Sequence, residues 1–251
     1  MTARRNRILS VRQKQRLSPN MIRILLGGEA LKDFPAGYES GYVKLLLPVE
    51  QKILKRSYTI RHFDQKNWLL TLDFVVHVDT IGSNGPASNW ALNCREGDTV
   101  TVDGPGAAKL VDLSADWFLL AGDMAALPAI SVNLERLPTT AKGYAVVEVM
   151  DSADKLPLAV PSGIALHWVI NPKPDQANTL LVDAVTVLPW LCGKAGVWSA
   201  TEFESMRRLR RYFKQEQGLS SRQVYVSSYW KMGEADEGHK RAKKSDTETI
   251  Q

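Results

Sequence analysis

Two hydrophobic patterns follow one another along the chain. In the first part the apolar runs are short and turn residues interrupt them, as at residues 42–47 before Pro48 and residues 99–102 after Gly97 and Asp98. Between residues 68 and 76 apolar and polar positions alternate, which is the period of a strand with one buried face. A series of short strands separated by turn residues predicts an antiparallel barrel or sandwich.

The pattern changes after residues 104–106, Gly-Pro-Gly. The apolar runs that follow are continuous, as is typical of strands buried on both faces of a parallel sheet. They begin at Trp117 and recur at residues 144–151, 165–170, 196–200 and 223–228. Helical segments separate them at residues 127–137, 179–188 and 201–217, the last with Thr201 as N-cap and Gly218 after its end. This alternation predicts a doubly wound α/β domain.

The predicted organisation has three parts. An antiparallel β-barrel is expected over residues 1–108 and a doubly wound parallel-sheet domain over residues 112–235. A polar tail occupies residues 236–251 and is expected to fray over its last part, residues 242–251. The length of 251 residues suits this division, since domains average about 150 residues.

Composition and charge narrow the function class. Hydrophobic residues make up 44% and charged residues 24% of the chain, which excludes a disordered chain, a collagen-like fibre and a small disulfide knot. Cys94 and Cys192 fit reduced thiols at least as well as a bridge. With no apolar run near the roughly 20 residues of a membrane span and no apolar signal segment, we expect a soluble cytoplasmic protein without integral membrane association.

The net charge of +5 suits an acidic small molecule, a nucleic acid or an anionic membrane surface. Nucleic-acid binding is disfavoured because the chain shows no known nucleic-acid motif. The arginines of the last predicted helix are expected to form its wet face instead, with Met206, Leu209 and Phe213 inward. These arginines are Arg207, Arg208, Arg210 and Arg211.

The first chemical motif lies on a predicted barrel strand and contains Arg56, Ser57, Tyr58, Thr59 and Arg61. Strand alternation places Arg56 and Tyr58 on one face and the other three on the opposite face. An aromatic ring, a hydroxyl and arginines suit a flat ligand that carries phosphate. The tyrosine ring can stack on the flat ligand, and an arginine can donate two parallel hydrogen bonds to phosphate oxygens. The alternative is an amphipathic surface strand with solvated arginines.

The second motif is a Gly/Ser loop that leads into a helix, with Gly85, Ala87, Ser88 and Trp90 in its later part. Small residues let the backbone approach a ligand, and the helix amides would face an anion. The alternative is a plain loop before a capped helix.

The third motif, around Gly122 and Asp123, reads as a strand, a tight turn and a helix start with Pro128 in the first turn. Open α/β sheets place nucleotides at this point, but the G-x-G-x-x-G fingerprint is missing. An ordinary strand-to-helix junction is the alternative.

The fourth motif, Tyr229, Trp230 and Lys231, follows the last predicted strand. Its adjacent aromatic residues suit the cover of a planar ligand, or else a latch that packs the tail onto the core.

In this order the four motifs resemble the siderophore-interacting proteins, flavin-dependent ferric-siderophore reductases of the ferredoxin-reductase-like superfamily. The resemblance covers residues 7–238. Its most specific parts are the Gly-Pro-Ala-Ser-Asn-Trp-Ala run from Gly85 and the Tyr-Trp-Lys run from Tyr229. It implies an FAD-binding barrel followed by an NAD(P)H-binding-like domain, and an enzyme that reduces ferric siderophores to release iron(II).

The resemblance also implies roles for individual residues. Residues expected to meet FAD on the barrel are Arg56, Ser57, Tyr58, Thr59, Arg61, Asp73, His77, Gly85, Ala87, Ser88 and Trp90. Asp123 is expected at the nicotinamide side, with Tyr229 and Trp230 also against the cofactor. Lys44, Lys55 and Lys231 are the candidate contacts to an anionic iron chelate, and Lys44 and Lys231 match basic positions of the family. No catalytic base is expected, because electron transfer to iron needs no protein nucleophile. No metal site is expected either, because His62, His77 and His167 are too dispersed in the sequence.

The chain departs from the family pattern mainly in its second half, where Met124 and Ala125 replace Glu-Thr. The electron donor therefore stays open between NADH, NADPH and ferredoxin. Two other functions also stay open. One is a flavin reductase for another acceptor, and the other is a non-catalytic siderophore carrier.

Overall fold

A computed structural model describes residues 5–76 and 85–234, together with Gly238, Ala242 and Asp246. The chain divides into two compact units. The first comprises Met1–Lys109 and Ala153–Pro157, and the second comprises Leu110–Ser152 and Leu158–Gln251. Across the described residues, no helix is both long enough and apolar enough to cross a lipid bilayer.

The first unit is built on a seven-stranded antiparallel sheet. Its strands are β1 (Arg5–Ser18), β2 (Met21–Gly27), β3 (Tyr42–Val49), β4 (Lys52–Thr59), β5 (His62–Asp64), β6 (Leu69–Val75) and β7 (Thr99–Gly106), in the order β4-β3-β7-β1-β2-β6-β5. Helix α1 (Pro86–Asn93) packs on strands of this sheet. A short 3-10 turn, Glu29–Leu31, follows β2.

The sheet curls into a barrel, as the alternating pattern predicts. Its two edge strands, β4 and β5, are separated in sequence by only residues 60 and 61. The amide of Arg61 donates a hydrogen bond of 3.0 Å to the carbonyl of Thr71 on β6. The chain therefore passes directly from one edge of the sheet to the other, and the inward-facing aliphatic side chains form one core. Leu9, Ile24, Leu45, Leu72 and Val102 are fully buried in it.

The second unit is built on a five-stranded parallel sheet. Its strands are β8 (Trp117–Gly122), β9 (Lys142–Val149), β10 (Gly163–Ile170), β11 (Ala195–Glu202) and β12 (Val224–Trp230), in the order β10-β9-β8-β11-β12. The helices are α2 (Leu127–Arg136), α3 (Leu180–Thr186) and α4 (Phe203–Arg211), and α4 continues in a π-helical turn, Tyr212–Glu216. The predicted fold class of a barrel followed by a doubly wound sheet is confirmed.

Helices cover both faces of this sheet. Leu119 and Ala121 of β8 pack in one core with Val185 of α3 and Leu209 of α4. Gly122 instead faces the start of α2: a Cβ atom there would lie 2.4 Å from the Ala200 carbonyl oxygen and 2.8 Å from the Ala126 Cβ. Only glycine permits this approach. The strand order reverses between β8 and β11, and ligands of such sheets bind at the carboxyl ends on either side of that point.

Thr201 is not the N-cap of the last helix, so that prediction is wrong. Thr201 lies within β11, and Glu202 caps α4 by accepting hydrogen bonds from the amides of Glu204 and Ser205 at 2.6 and 3.3 Å. The Thr201 hydroxyl donates to Asp123 at 2.9 Å instead. The Thr201 hydroxyl therefore binds a distant residue, Asp123, and does not cap the helix next to it.

The exposed face of α4 carries the arginines, as predicted. Met206, Leu209 and Phe213 are fully buried beneath it. In the stretch that was predicted to fray, residues 242–251, the structure describes Ala242 and Asp246, and both are helical. The Asp246 carboxylate forms ion pairs with Arg207, at 3.1 Å, and with Arg210.

Candidate functional site

Arg56 and Tyr58 share the inner face of β4. In the antiparallel ladder Arg56 lies opposite Leu45 and Tyr58 opposite Val43, and both partners are fully buried in the barrel core. Residues directly opposite one another project to the same side of a sheet. Arg56 and Tyr58 are nevertheless only half-buried. They therefore lie at the border of the core, where a ligand can reach them.

A row of aromatic rings extends from Tyr58 across the barrel. The Tyr58 ring centroid lies 4.2 Å from that of Phe74 on β6, and Phe74 lies 5.6 Å from Trp90 on α1. Burial raises the pKa of the Tyr58 hydroxyl, against the smaller opposing effect of the Arg56 charge. The hydroxyl therefore stays protonated at physiological pH and can donate a hydrogen bond.

The N-terminus of α1 is able to bind an anion. Gly85 is its N-cap, with extended backbone; among the described residues no side chain caps this end, and no atom lies within 4 Å of the place that a Cβ atom at Gly85 would take. Backbone amides at a helix N-terminus attract anions. Ala87 and Ser88 are buried, and the Ser88 hydroxyl donates a hydrogen bond of 3.0 Å to the Val75 carbonyl. That bond ties α1 to the end of β6.

Ser57 and Thr59 project to the other face of β4. Ser57 is exposed opposite Lys44, whereas Thr59 is buried opposite Tyr42. Arg61 is half-buried just beyond the end of β4.

Two predicted substrate contacts lie on this outer face as well. Lys44 pairs with Ser57 across the ladder, and Lys55 pairs with Leu46. Lys44 is half-buried and Lys55 is exposed. The structure therefore places both lysines on the side of the strands opposite Arg56 and Tyr58.

Asp73 also lies on the outer face of its strand, opposite Arg23 of β2. The Arg23 Nε and Nη2 atoms each lie 2.7 Å from one oxygen of the Asp73 carboxylate. Phe74, the neighbour of Asp73, faces the core with Tyr58. His77, predicted near the cofactor, lies outside the described residues.

Asp123 follows β8 at the carboxyl edge of the parallel sheet and is buried. Its Oδ2 accepts hydrogen bonds from the Thr201 hydroxyl, the Glu202 amide and the Trp230 indole at 2.9, 3.0 and 2.8 Å. Its Oδ1 accepts one from the Ala125 amide at 3.0 Å. Burial raises the pKa of the carboxyl against these bonds. Asp123 therefore joins the ends of β8, β11 and β12.

Glu148, near the end of β9, is a buried carboxyl that belongs to none of the four sequence motifs. It accepts a hydrogen bond of 3.0 Å from the Asn171 side chain and another from the Leu181 amide. Burial, assisted by the Asp123 charge, raises the pKa of Glu148 to about 7. The signal in the sequence that could have indicated this buried carboxyl is a lone acidic residue in an apolar strand.

The Tyr229, Trp230 and Lys231 run is held within the second unit. Tyr229 packs edge-on to Trp198, with ring centroids 6.3 Å apart. The Trp230 indole is bound to Asp123, and the Lys231 ammonium lies 5.2 Å from the ring centroid of Phe203. These contacts are those of a latch. Cofactor contact by Asp123, Tyr229 and Trp230 stays a prediction.

Both units match models of known protein families. Residues 115–233 match the model of the siderophore-interacting protein family. Residues 10–55 and 47–109 match that of the siderophore-interacting FAD-binding domain. The first unit is thus an FAD-binding domain.

Individual proteins with similar sequences span nearly the whole chain. The ferric vibriobactin reductase ViuB of Vibrio cholerae is 32% identical over 93% of this chain and 92% of its own. The NADPH-dependent ferric-chelate reductase of Escherichia coli is 29% identical over 90% of this chain and 93% of its own. The crystal structure of SipS from Aeromonas hydrophila superposes with a TM-score of 0.86 at 29% identity, covering 98% of this chain and 99% of that one.

Proposed function

Because the chain belongs to the siderophore-interacting protein family and is an FAD-dependent oxidoreductase, we propose that it reduces ferric siderophores and so releases iron(II). The observation that carries this proposal is the 32% identity with a ferric vibriobactin reductase, which extends over 93% of the chain. A protein that only carries siderophores would not need the FAD-binding domain. Siderophores coordinate iron(III) through hard anionic oxygen atoms, and reduction of the metal to iron(II) by one electron weakens this coordination.

The residues of the barrel fit FAD. The half-buried Arg56 and the backbone amides at the start of α1 suit the two phosphates of the cofactor. Tyr58 and Trp90, at the two ends of the aromatic row, suit its flat rings. Ser57, Thr59, Arg61, Gly85, Ala87 and Ser88 are proposed to complete the site.

Bound flavin accepts two electrons as hydride and passes them on singly, which matches a two-electron donor to a one-electron acceptor. The role of the protein is to bind the cofactor and to attract the iron chelate. Basic side chains would attract a catecholate or hydroxamate complex by its negative charge. Lys231 is proposed for this role, with Lys44 and Lys55 as further candidates.

The electron donor is proposed to be NADH or NADPH, bound at the carboxyl edge of the parallel sheet. The name of the Escherichia coli relative specifies NADPH for that protein. A reduced ferredoxin is the other candidate donor.

The proposed reaction is tested with purified, FAD-loaded protein under anaerobic conditions. Protein reduced by dithionite, with excess reductant removed, is mixed with a ferric tris-catecholate and with a chelator specific for iron(II). We expect the oxidised flavin absorption to return while the iron(II) chelate forms, with two iron(II) ions per flavin. If the flavin stays reduced, the reductase proposal fails. Parallel reductions with NADH, NADPH and reduced ferredoxin identify the donor.

Arg56→Ala is expected to weaken FAD binding by about 10- to 150-fold, because a charge-assisted hydrogen bond contributes about 1.5–3 kcal/mol. Titration of the apoprotein with FAD, followed by flavin fluorescence, measures the change in Kd.

Lys52→Ala is the matched control for this variant. It removes a cation from the exposed end of the same strand and should leave the Kd within about twofold, since exposed charges contribute little. Equal Kd values for Arg56→Ala and the unaltered protein would remove Arg56 from the phosphate site.

A further inference from the structure

The short segment of residues 230–232 is tied to the rest of the second unit on both sides of Lys231. On one side, the Trp230 indole N–H donates to the Asp123 carboxylate at 2.8 Å. On the other side, the Met232 amide donates to the Glu202 carboxylate at 3.2 Å. Lys231 therefore lies between two anchored neighbours.

The two anchoring carboxylates are themselves held in place. Asp123 accepts three further hydrogen bonds, from Ala125, Thr201 and Glu202, at 2.9–3.0 Å. The Oε2 atom of Glu202 caps α4, while its Oε1 binds Met232. Both side chains are nearly buried. Neither carboxylate can turn without breaking several bonds, so the segment that they hold has a fixed path.

The side chain of Lys231 is also held in place. Its ammonium lies 5.2 Å from the ring centroid of Phe203, the first residue of α4, and Phe203 is buried. A cation over an aromatic face is attracted by the ring quadrupole. Lys231 is half-buried, so its charge remains accessible to a ligand.

We propose that Asp123 and Glu202 are positioning residues that hold Lys231 at the carboxyl edge of the parallel sheet, ready to contact an anionic ferric chelate. This role rests on the proposed function for the identity of the ligand. The Asp123 and Glu202 oxygens are turned toward N–H and O–H donors of the protein. Asp123 and Glu202 fix the position of the Lys231 ammonium and take no part in electron transfer.

The role of this segment is tested with Trp230→Phe, which removes the indole N–H and leaves Asp123 with its other partners. Steady-state reduction is measured for an anionic ferric tris-catecholate and for a neutral ferric tris-hydroxamate. We expect the KM for the anionic chelate to rise about three- to tenfold, as befits a pair coupled by roughly 1 kcal/mol. The KM for the neutral chelate should rise by a clearly smaller factor, because loss of a cofactor contact would affect both chelates alike. Equal rises in both KM values would show a merely structural role and overturn the proposal.

Lys231→Ala completes a double-mutant cycle with Trp230→Phe. If Trp230 acts through Lys231, the effect of Trp230→Phe on the anionic chelate disappears in the Lys231→Ala background. An undiminished effect, or an unchanged KM for Lys231→Ala alone, overturns the positioning role. The anaerobic reduction experiment on the unaltered protein is independent of these variants, so failure of the reductase proposal is distinguishable.

Two more variants keep the experiment specific. Trp190→Phe makes the same chemical change in the same unit, where Trp190 packs against Trp117, and should leave both KM values unchanged. Glu202→Gln weakens the second anchor and should raise the KM for the anionic chelate in the same direction as Trp230→Phe. A selective rise with Trp190→Phe, or none with Glu202→Gln, would contradict the proposal.

Discussion

Arg23→Ala is expected to destabilise the barrel by about 3–5 kcal/mol, the cost of leaving one partner of a buried ion pair alone. Arg23 binds Asp73 through two bonds of 2.7 Å, and the Asp73 side chain is only 3% exposed. Without the guanidinium, a carboxylate remains enclosed between β2 and β6. Urea denaturation of the FAD-free protein, followed by circular dichroism, measures the loss.

Arg5→Ala is the matched control for the buried pair. Arg5 binds Asp33 at the same distance of 2.7 Å, but their side chains are 54% and 52% exposed. Exposed ion pairs contribute about 0–1 kcal/mol, so this variant should lose little. If both variants lose the same free energy, burial does not explain the effect. Replacing Arg23 and Asp73 together by leucine should recover most of the loss, because the unpaired charge is then gone.

The stability of the second unit is expected to depend on the protonation of Glu148. Its pKa is raised to about 7 in the folded chain, above the ordinary value of 4.5, so the folded state binds the proton more tightly than the unfolded state. The contribution is therefore complete below pH 4.5 and is lost as the pH rises through about 7. A shift of this size corresponds to roughly 3 kcal/mol.

Glu148→Gln should remove this pH dependence, because an amide stays neutral and can still accept the hydrogen bond from Asn171. Relative to the unaltered protein, the variant should gain stability progressively between pH 5 and pH 8, by up to about 3 kcal/mol. The raised pKa of Asp123 acts in the same direction and remains in the variant. Thermal unfolding across this pH range measures the difference.

The exposed Glu135→Gln on α2 provides the reference for Glu148→Gln, since it removes the same charge at the surface. Its difference from the unaltered protein should be small and nearly independent of pH. A flat difference for Glu148→Gln as well would show that Glu148 titrates at its ordinary pKa in the folded chain.

Much of the fold was predictable because its elements are encoded locally. The parallel strands appear in the sequence as continuous apolar runs, since helices cover both faces of their sheet. The barrel strands appear as alternations because only one face lines the core. The N-cap at Thr201 failed because a capping residue is recognised by type, while its hydroxyl found a partner 78 residues away.

The candidate site was predictable in part. The alternation around Tyr58 correctly placed it on one face with Arg56, because the period of a strand is fixed. The same rule could not reveal that Asp73 pairs with Arg23, since that depends on which strands become neighbours. Arg23 and Asp73 are each the lone charged residue of a mostly apolar strand, and this is the local signal that indicates a buried pair.

The order of the two units and the type of each sheet could be predicted from short segments of the chain, because the hydrophobic period is a local property. The partners of Asp123, Glu148 and Lys231 come together only in the folded chain, since the hydrogen-bond donors to the two carboxylates and the aromatic ring beside the lysine come from distant elements. The same holds for Ala153–Pro157, which belongs to the barrel unit because Asp154 accepts hydrogen bonds from Ser18 and Asn20. A buried polar group is stable only where such partners meet it, and the chain must fold before they do.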